Sequence, residues 1–199
     1  MSAPRIRLAT ADDAGTIAAI YAPFVTETAV SFEIDAPDAE EMERRIVETF
    51  EHFPWLVCEV GGYVAGYAYA SRHRSRTAYQ WSVDTAIYTH PQYRRVGMGR
   101  ALYTSLLAAL PLQGFYNAYA GIALPNAASV GLHEAFGFGP VGVYRQVGFK
   151  FGRWHDVGWW QIALQPPSDP ASAPVPLADV AGSPEYANCL TRGLVHLRI

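Results

Sequence analysis

Cysteine is scarce in this chain of 199 residues, with only Cys58 and Cys189. One sits inside an apolar strand-like run and the other in a weakly patterned tail, so neither a disulfide framework nor a Cys-x-x-Cys metal knuckle is implied. Charge is sparse as well. With 17% charged residues, a net charge of -3 and a pI near 6.0, the chain lacks the surplus of Lys and Arg that general nucleic-acid binding needs. Long apolar runs are missing: no stretch reaches the roughly 18 uninterrupted apolar residues of a membrane span. The start, "MSAPRIRLATADD", has no apolar signal core. These absences predict a cytoplasmic protein with no nucleic-acid and no membrane partner. The six histidines, His52, His73, His90, His133, His155 and His196, show no paired ligand spacing, so no metal is expected. No Gly-x-Ser-x-Gly elbow marks a serine nucleophile.

Apolar residues make up 50% of the chain, enough for one well-filled domain. "RIRLA" reads as a first strand, and Thr10 followed by Asp13 resembles a capping box opening a helix through about Phe24. A second helix is expected from about Asp38 to Phe50, where an acidic first turn precedes Met42, Ile46 and Phe50, four apart. "WLVCEV", Gly61-Gly62 and "YVAGYAYAS" form a hairpin, followed by a strand over about Tyr79 to Thr89. Beyond a leucine-striped helix lie a strand at "FYNAYAGIA", a helix from about Asn126 to Phe136, and strands around "VGVYRQVGFKF" and "VGWWQIALQ". From Gln165 the chain turns rich in Pro, Ala and Ser without sustained periodicity. Residues 166–199 are therefore expected as an extended or disordered tail.

The basic residues cluster in 72–76 and 94–100. The second cluster, "YRRVGMGRALY", runs directly into a helix with Met98, Leu102, Leu106, Leu107 and Leu110 on one face. A helix N-terminus leaves backbone N–H groups unpaired and carries partial positive charge, which suits a phosphate or pyrophosphate. Gly97 and Gly99 remove Cβ atoms where a ligand would approach the backbone. A Walker loop is excluded because Gly99 is followed by Arg100 and Ala101, and a dinucleotide fingerprint lacks its third glycine and downstream acid. Two glycines that merely tighten a turn remain the alternative at this point.

Arg94-Arg95-Val96-Gly97-Met98-Gly99 resembles the Arg/Gln-x-x-Gly-x-Gly/Ala signature of the GCN5-related N-acetyltransferase (GNAT) superfamily, and the element order agrees. "LPNAASVGLHEAFGF" is similar to that superfamily's second cofactor segment, an Asn opening a helix that ends in Gly-Phe. Together with "IYAPFVTETAVSFE", "AYQWSVDTAIYTHPQYRRVGMGRALY" and "QVGFKFGRWHDVGWWQ", these segments resemble the phosphinothricin and methionine sulfoximine N-acetyltransferases over about residues 5 to 165. The resemblance implies an α/β (α+β) GNAT fold in residues 1–165. Its sheet is mixed and mostly antiparallel, with about seven strands, about four flanking helices and a splay between the fourth and fifth strands. It implies acetyl-CoA as cosubstrate and direct acetylation of the α-amino group of a small amino acid such as phosphinothricin, methionine sulfoximine or methionine sulfone. Another amine (a polyamine, a drug or a protein N-terminus) and a non-catalytic CoA-binding sensor stay open as alternatives.

In the family's terms, backbone groups of Ile87, Tyr88 and Thr89 would pair with the pantetheine arm. The N–H groups of Arg95, Val96, Gly97, Met98, Gly99 and Arg100 would hold the pyrophosphate. Asn126 would contact the pantetheine, with Ser129 assisting. An amine arriving as ammonium needs a general base. Asp84 interrupts an otherwise apolar strand, roughly 10 Å before Ile87, and burial would raise its pKa. The related enzymes carry glutamate at this position, so direct action by the shorter Asp84, transfer through water, and a simple ion pair with Arg76 all stay open. His133 stands where many superfamily members place a tyrosine, seven residues after Asn126, and is a candidate acid, base or structural residue. A backbone N–H near Tyr88 would stabilise the oxyanion.

For an amino-acid carboxylate, Arg72, Arg74 and Arg76 are candidate partners, facing one side if the segment is extended. Phe32 is a candidate pocket wall, and Arg153 and His155 are further candidates or structural residues. Related enzymes are commonly homodimers, and "GRWHDVGWW" is a candidate interface.

Overall fold

The computed structural model describes residues 2–199. The chain forms seven strands: β1 (Arg5–Leu8), β2 (Trp55–Val60), β3 (Tyr63–Arg72), β4 (Ser82–Thr89), β5 (Asn117–Leu124), β6 (Gly139–Lys150) and β7 (Arg153–Ala163). They form one sheet in the order β1-β2-β3-β4-β5-β7-β6. Every pairing is antiparallel except β4 with β5.

Two apolar layers cover the sheet. On one face lie α1 (Ala14–Thr26) and α2 (Ala39–Phe50), whose Ile17, Ile20, Met42 and Ile46 pack with Trp55, Val57 and Tyr67. Asp38 caps α2 by accepting the Glu41 N–H at 2.9 Å. On the other face α3 (Met98–Ala109) packs Met98, Leu102 and Leu106 against Leu56, Ala68 and Val83. Each such leucine contributes about 1.5–3 kcal/mol by leaving water, which fixes where α3 begins. The shorter α4 (Ala127–Glu134) follows β5. No helix among the described residues is long and apolar enough to cross a membrane.

The parallel pairing is short. It runs from Ser82 opposite Asn117 to Asp84 opposite Tyr119, although β4 continues to Thr89 and β5 to Leu124. Thr85 Oγ1 donates to the Tyr119 carbonyl at 3.1 Å where the ladder stops, and beyond it the two strands part. This is the expected splay.

Three expectations change. The strand expected from Tyr79 begins at Ser82, because Thr77–Tyr79 form a 3-10 turn. β3 ends at Arg72, so the alternation that would align Arg72, Arg74 and Arg76 does not apply. The tail also differs from an extended or disordered segment. Its residues 166–176 lack regular structure, but Leu177–Ala181 form α5, Pro184–Arg192 form α6 and Gly193–His196 close with a 3-10 turn. Leu177, Tyr186 and Cys189 are buried against Ala109 of α3. The anchoring side chains are too few to register as a periodic pattern, yet they bury an outer face of α3 that the domain would otherwise expose.

Tyr186 is fully buried, and its hydroxyl has no partner among the described residues. Tyr186→Ala should cost about 3–5 kcal/mol in urea unfolding, whereas Tyr186→Phe should be neutral or stabilising because it removes an unsatisfied hydroxyl. Equal losses would show that the hydroxyl has a role of its own.

Candidate active site

The parting of β4 and β5 leaves a cleft lined by the backbone of Thr85–Tyr88 and Ala120–Ala123, with Tyr103, Asn126, Ser129 and His133 around it. Along an antiparallel ladder, alternate N–H groups point to opposite neighbours. His90 donates its N–H to the Ala65 carbonyl at 2.9 Å, so the Tyr88 N–H also points at β3, while those of Ile87 and Thr89 point to the cleft. The candidate oxyanion donor near Tyr88 is therefore an N–H of one of its neighbours.

The basic loop stands at the same end of β4. Gly97 adopts φ +84°, a left-handed turn that suits glycine, and initiates α3. Ala101 is bonded to the Gly97 carbonyl at 2.8 Å, leaving the N–H groups of Met98, Gly99 and Arg100 at the open helix end. Ile87 and Leu132 crowd Gly99, where a Cβ would lie 3.2 Å from Leu132 Cδ2, so strand, loop and α4 meet there. Arg95 and Val96 complete the loop, with Arg95 at φ +63°. Asn126 caps α4 by accepting the Ser129 N–H at 3.1 Å, which leaves its amide NH2 uncommitted by that bond.

Asp84 lies on the face of α1 and α2, in register with Ser71 and Tyr119. Its side chain is 28% exposed, and burial pushes its pKa up. His73 opposes that shift: its Nδ1 lies 2.6 Å from Asp84 Oδ1, and its ring stacks on Tyr119 with centroids 4.2 Å apart. Sequence reasoning missed His73, which looked like a spacer between arginines. Its signal was its place one residue beyond β3, where a side chain can turn back over the strand end.

His133 is buried and its pKa is lowered by that burial, so the ring is neutral near pH 7. Nδ1 lies 2.8 Å from the Ser129 carbonyl, and Nε2 lies 2.9 Å from the Tyr103 hydroxyl. A carbonyl only accepts, so Nδ1 carries the hydrogen and Nε2 accepts from Tyr103. Burial pushes the Tyr103 pKa up, which keeps it protonated. The imidazole thus borders the cleft together with a phenol that sequence reasoning passed over. A buried tyrosine beside the leucine stripe of α3 needs a polar partner, and that was the available signal.

Arg72, Arg74 and Arg76 do meet, lining a cavity of about 280 Å³ with Phe53, Phe115 and the tail residues Pro174–Pro176. None of the three is ion-paired with a carboxylate among the described residues. They differ in direction. Arg72 is in register with Val83, on the face away from Asp84, whereas Arg74 sits 5.4 Å over the Trp159 ring and its charge lowers the Asp84 pKa. The Arg76 ion pair with Asp84 is not formed; His73 takes that place. Trp159 Nε1 is buried without a partner among the described residues, a free donor on the same side.

Phe32 lies over Gly148, where a Cβ would collide with its ring, and 6.0 Å from the His155 ring. The loop carrying it is fastened by Lys150, the only lysine in the chain, which donates to the carbonyls of Val25, Ser31 and Glu33 at 2.6–2.8 Å. His155 is buried and bonded through Nε2 to the Lys150 carbonyl at 3.0 Å, a structural placement. Arg153 begins β7 and is exposed.

The family model described as an acetyltransferase (GNAT) domain matches residues 6–159. This chain belongs to the GNAT acetyltransferases. Among relatives of this GNAT enzyme, a phosphinothricin N-acetyltransferase of Streptomyces viridochromogenes is 40% identical over 165 residues, covering 83% of this chain and 90% of the relative. An L-methionine sulfoximine/L-methionine sulfone acetyltransferase of Salmonella typhimurium is 34% identical over 160 residues, covering 80% of this chain and 94% of the relative. A crystal structure of a GNAT phosphinothricin acetyltransferase from Sinorhizobium meliloti in complex with acetyl-CoA superimposes with TM-score 0.80 at 34% identity, covering 87% of this chain and 94% of the other. This GNAT enzyme is an acetyl-CoA-dependent N-acetyltransferase.

The His73 contact favours the ionised form of Asp84, so its removal should raise the pKa of Asp84. His73→Phe, which keeps an aromatic ring on Tyr119, is expected to move the acidic limb of the kcat/KM profile to higher pH. An unmoved limb would mean that Asp84 does not set it.

Proposed function

We propose that this GNAT enzyme acetylates the α-amino group of a small amino acid of the phosphinothricin or methionine sulfoximine type by direct transfer from acetyl-CoA. The observation that carries the reading is Asp84, a partly buried carboxylate beside the splay, coupled to His73 and three residues before the strand end that would receive the cofactor. The N–H groups of Ile87 and Thr89 pair with the pantetheine arm, and the loop from Arg95 to Arg100 holds the pyrophosphate. Asn126 and Ser129 bound the other side of the arm.

In this reading Asp84 takes a proton from the substrate ammonium, directly or through one water, and the freed amine attacks the thioester carbonyl carbon. The developing oxyanion is met by a fixed backbone N–H, which needs no reorganisation. As the C–S bond breaks, the Tyr103 hydroxyl turns its hydrogen from His133 Nε2 toward the departing sulfur, and the second proton shed by the amine nitrogen passes through water to the thiolate. His133 therefore acts through Tyr103, by holding that hydroxyl in place. Arg74 and Arg76 provide the planar donors that suit the substrate carboxylate, with Arg72 behind them. Phe32 and the Trp159 indole form walls, and the unpartnered Trp159 N–H suits an oxygen on the substrate's tetrahedral end.

The enzyme is further proposed to be a cytoplasmic homodimer. β6 is an edge strand with exposed Val141, Val143, Tyr144, Val147 and Phe149, next to exposed Phe151 and Trp154. An unpaired apolar edge of this kind favours association with a second copy. Its two free, buried cysteines fit a reducing compartment.

Thiol release from acetyl-CoA, measured with phosphinothricin, methionine sulfone, methionine sulfoximine, ordinary amino acids, polyamines and peptides, tests the substrate class. Acetylation of the first three is expected, and activity confined to peptides or polyamines would overturn it. Asp84→Asn should lower kcat by about 10²–10⁴-fold while acetyl-CoA still raises Tm. Unchanged turnover would remove Asp84 from the chemistry.

A further inference from the structure

The C-terminal segment lies outside the residues matched by the GNAT family model, which end at Trp159. It is nevertheless fastened to the loop at the start of α3. Ser105 Oγ donates to the Leu190 carbonyl at 2.8 Å and accepts the Gly193 N–H at 3.2 Å. Gly193 lies so close to the Ala101 carbonyl that a Cβ would collide with it. Further on, the His196 carbonyl fills the space where a Cβ of Gly97 would stand. The Arg198 N–H donates to the Val96 carbonyl at 2.9 Å. That last bond uses an oxygen of the loop and leaves its N–H groups uncommitted.

This path gathers cationic side chains from two distant parts of the chain. A recess of about 310 Å³ is lined by Arg95, Gly97, Arg100, Val195, His196 and Arg198. No Asp or Glu is among its lining residues, and none of the three arginines is ion-paired among the described residues. In a chain of net charge -3, three exposed arginines around one recess make a local positive patch that attracts an anion. The cosubstrate of this family supplies one, since coenzyme A carries a pyrophosphate and a 3′-phosphate at its nucleotide end.

We propose that the C-terminal segment is part of the acetyl-CoA site, with Arg198 and His196 joining Arg95 and Arg100 to bind phosphate groups of the nucleotide end. The inference rests on the reading that the loop from Arg95 to Arg100 holds the cofactor. Docking of α6 on α3 then serves binding as well as folding, because it sets the position of Arg198 beside the loop.

The test measures kcat and KM for acetyl-CoA in wild type, Arg198→Ala, Arg198→Glu and His196→Ala, with Tm recorded for each. Arg198→Ala is expected to raise KM by roughly three- to tenfold, the modest scale of an exposed charge pair, and Arg198→Glu by more, with kcat within about twofold and Tm unchanged. Repeating the series with 3′-dephospho-acetyl-CoA separates the two phosphate sources: a vanished penalty assigns Arg198 to the 3′-phosphate, a retained one to the pyrophosphate. Hydrogen exchange of the wild type with acetyl-CoA keeps the two readings apart. Protected amides at 95–100 with an unchanged KM in both Arg198 variants overturn the tail's role alone, whereas unprotected amides overturn the loop reading itself.

Discussion

The parting of two parallel strands after three paired residues is the constraint on which the molecule depends. β4 and β5 share a ladder only from Ser82 to Asp84, while β5 keeps eight pairs with β7 and β4 keeps seven with β3. Each half of the sheet is thus held by its outer neighbour, and the gap opens at no cost to the rest of the fold. A dry, unpaired backbone group costs about 1–3 kcal/mol. The gap therefore remains a wet cleft or receives a ligand that supplies the missing donors and acceptors. The pantetheine arm, with its two amides, is chemically such a ligand.

Around this gap the protein sorts its polar and aromatic groups by face. Asp84, His73, Tyr119, Arg74 and Trp159 gather on the side of α1 and α2, while Tyr103 and His133 gather on the side of α3 and α4. Burial acts in opposite senses on the two groups. It raises the pKa of the carboxylate and lowers that of the imidazole, so both move toward the neutral form. The first becomes a stronger base. The second becomes a fixed acceptor that orients a phenol.

The C-terminal segment shows how an extension can be absorbed into a fold that does not require it. Leu177, Tyr186 and Cys189 cover the outer face of α3, and two glycines permit backbone contacts closer than any other residue would allow. The same helix thus carries the sheet on one side and the chain's end on the other.

Much of this was legible in the chain itself. Apolar residues at helical or alternating spacing are a local property, and they located β2, β3, α2 and α3 to within a few residues. The run from Arg94 to Gly99, with Asn126 and Asp84 at their offsets, marked the region where strand, loop and helix meet. The chain alone did not reveal that Asp84 would pair with His73, that Tyr103 would stand on His133, or that residues 177–198 would fold onto α3. Those contacts join residues separated by 11, 30 and about 85 positions. Strand register and the shape left between packed helices select such partners, and neither exists until the whole sheet has formed. The sequence by itself determined most of the helices and strands of residues 5–165 and the place of the basic loop that opens α3. The tertiary structure decided which side chains face that loop, because direction and proximity belong to the packed sheet.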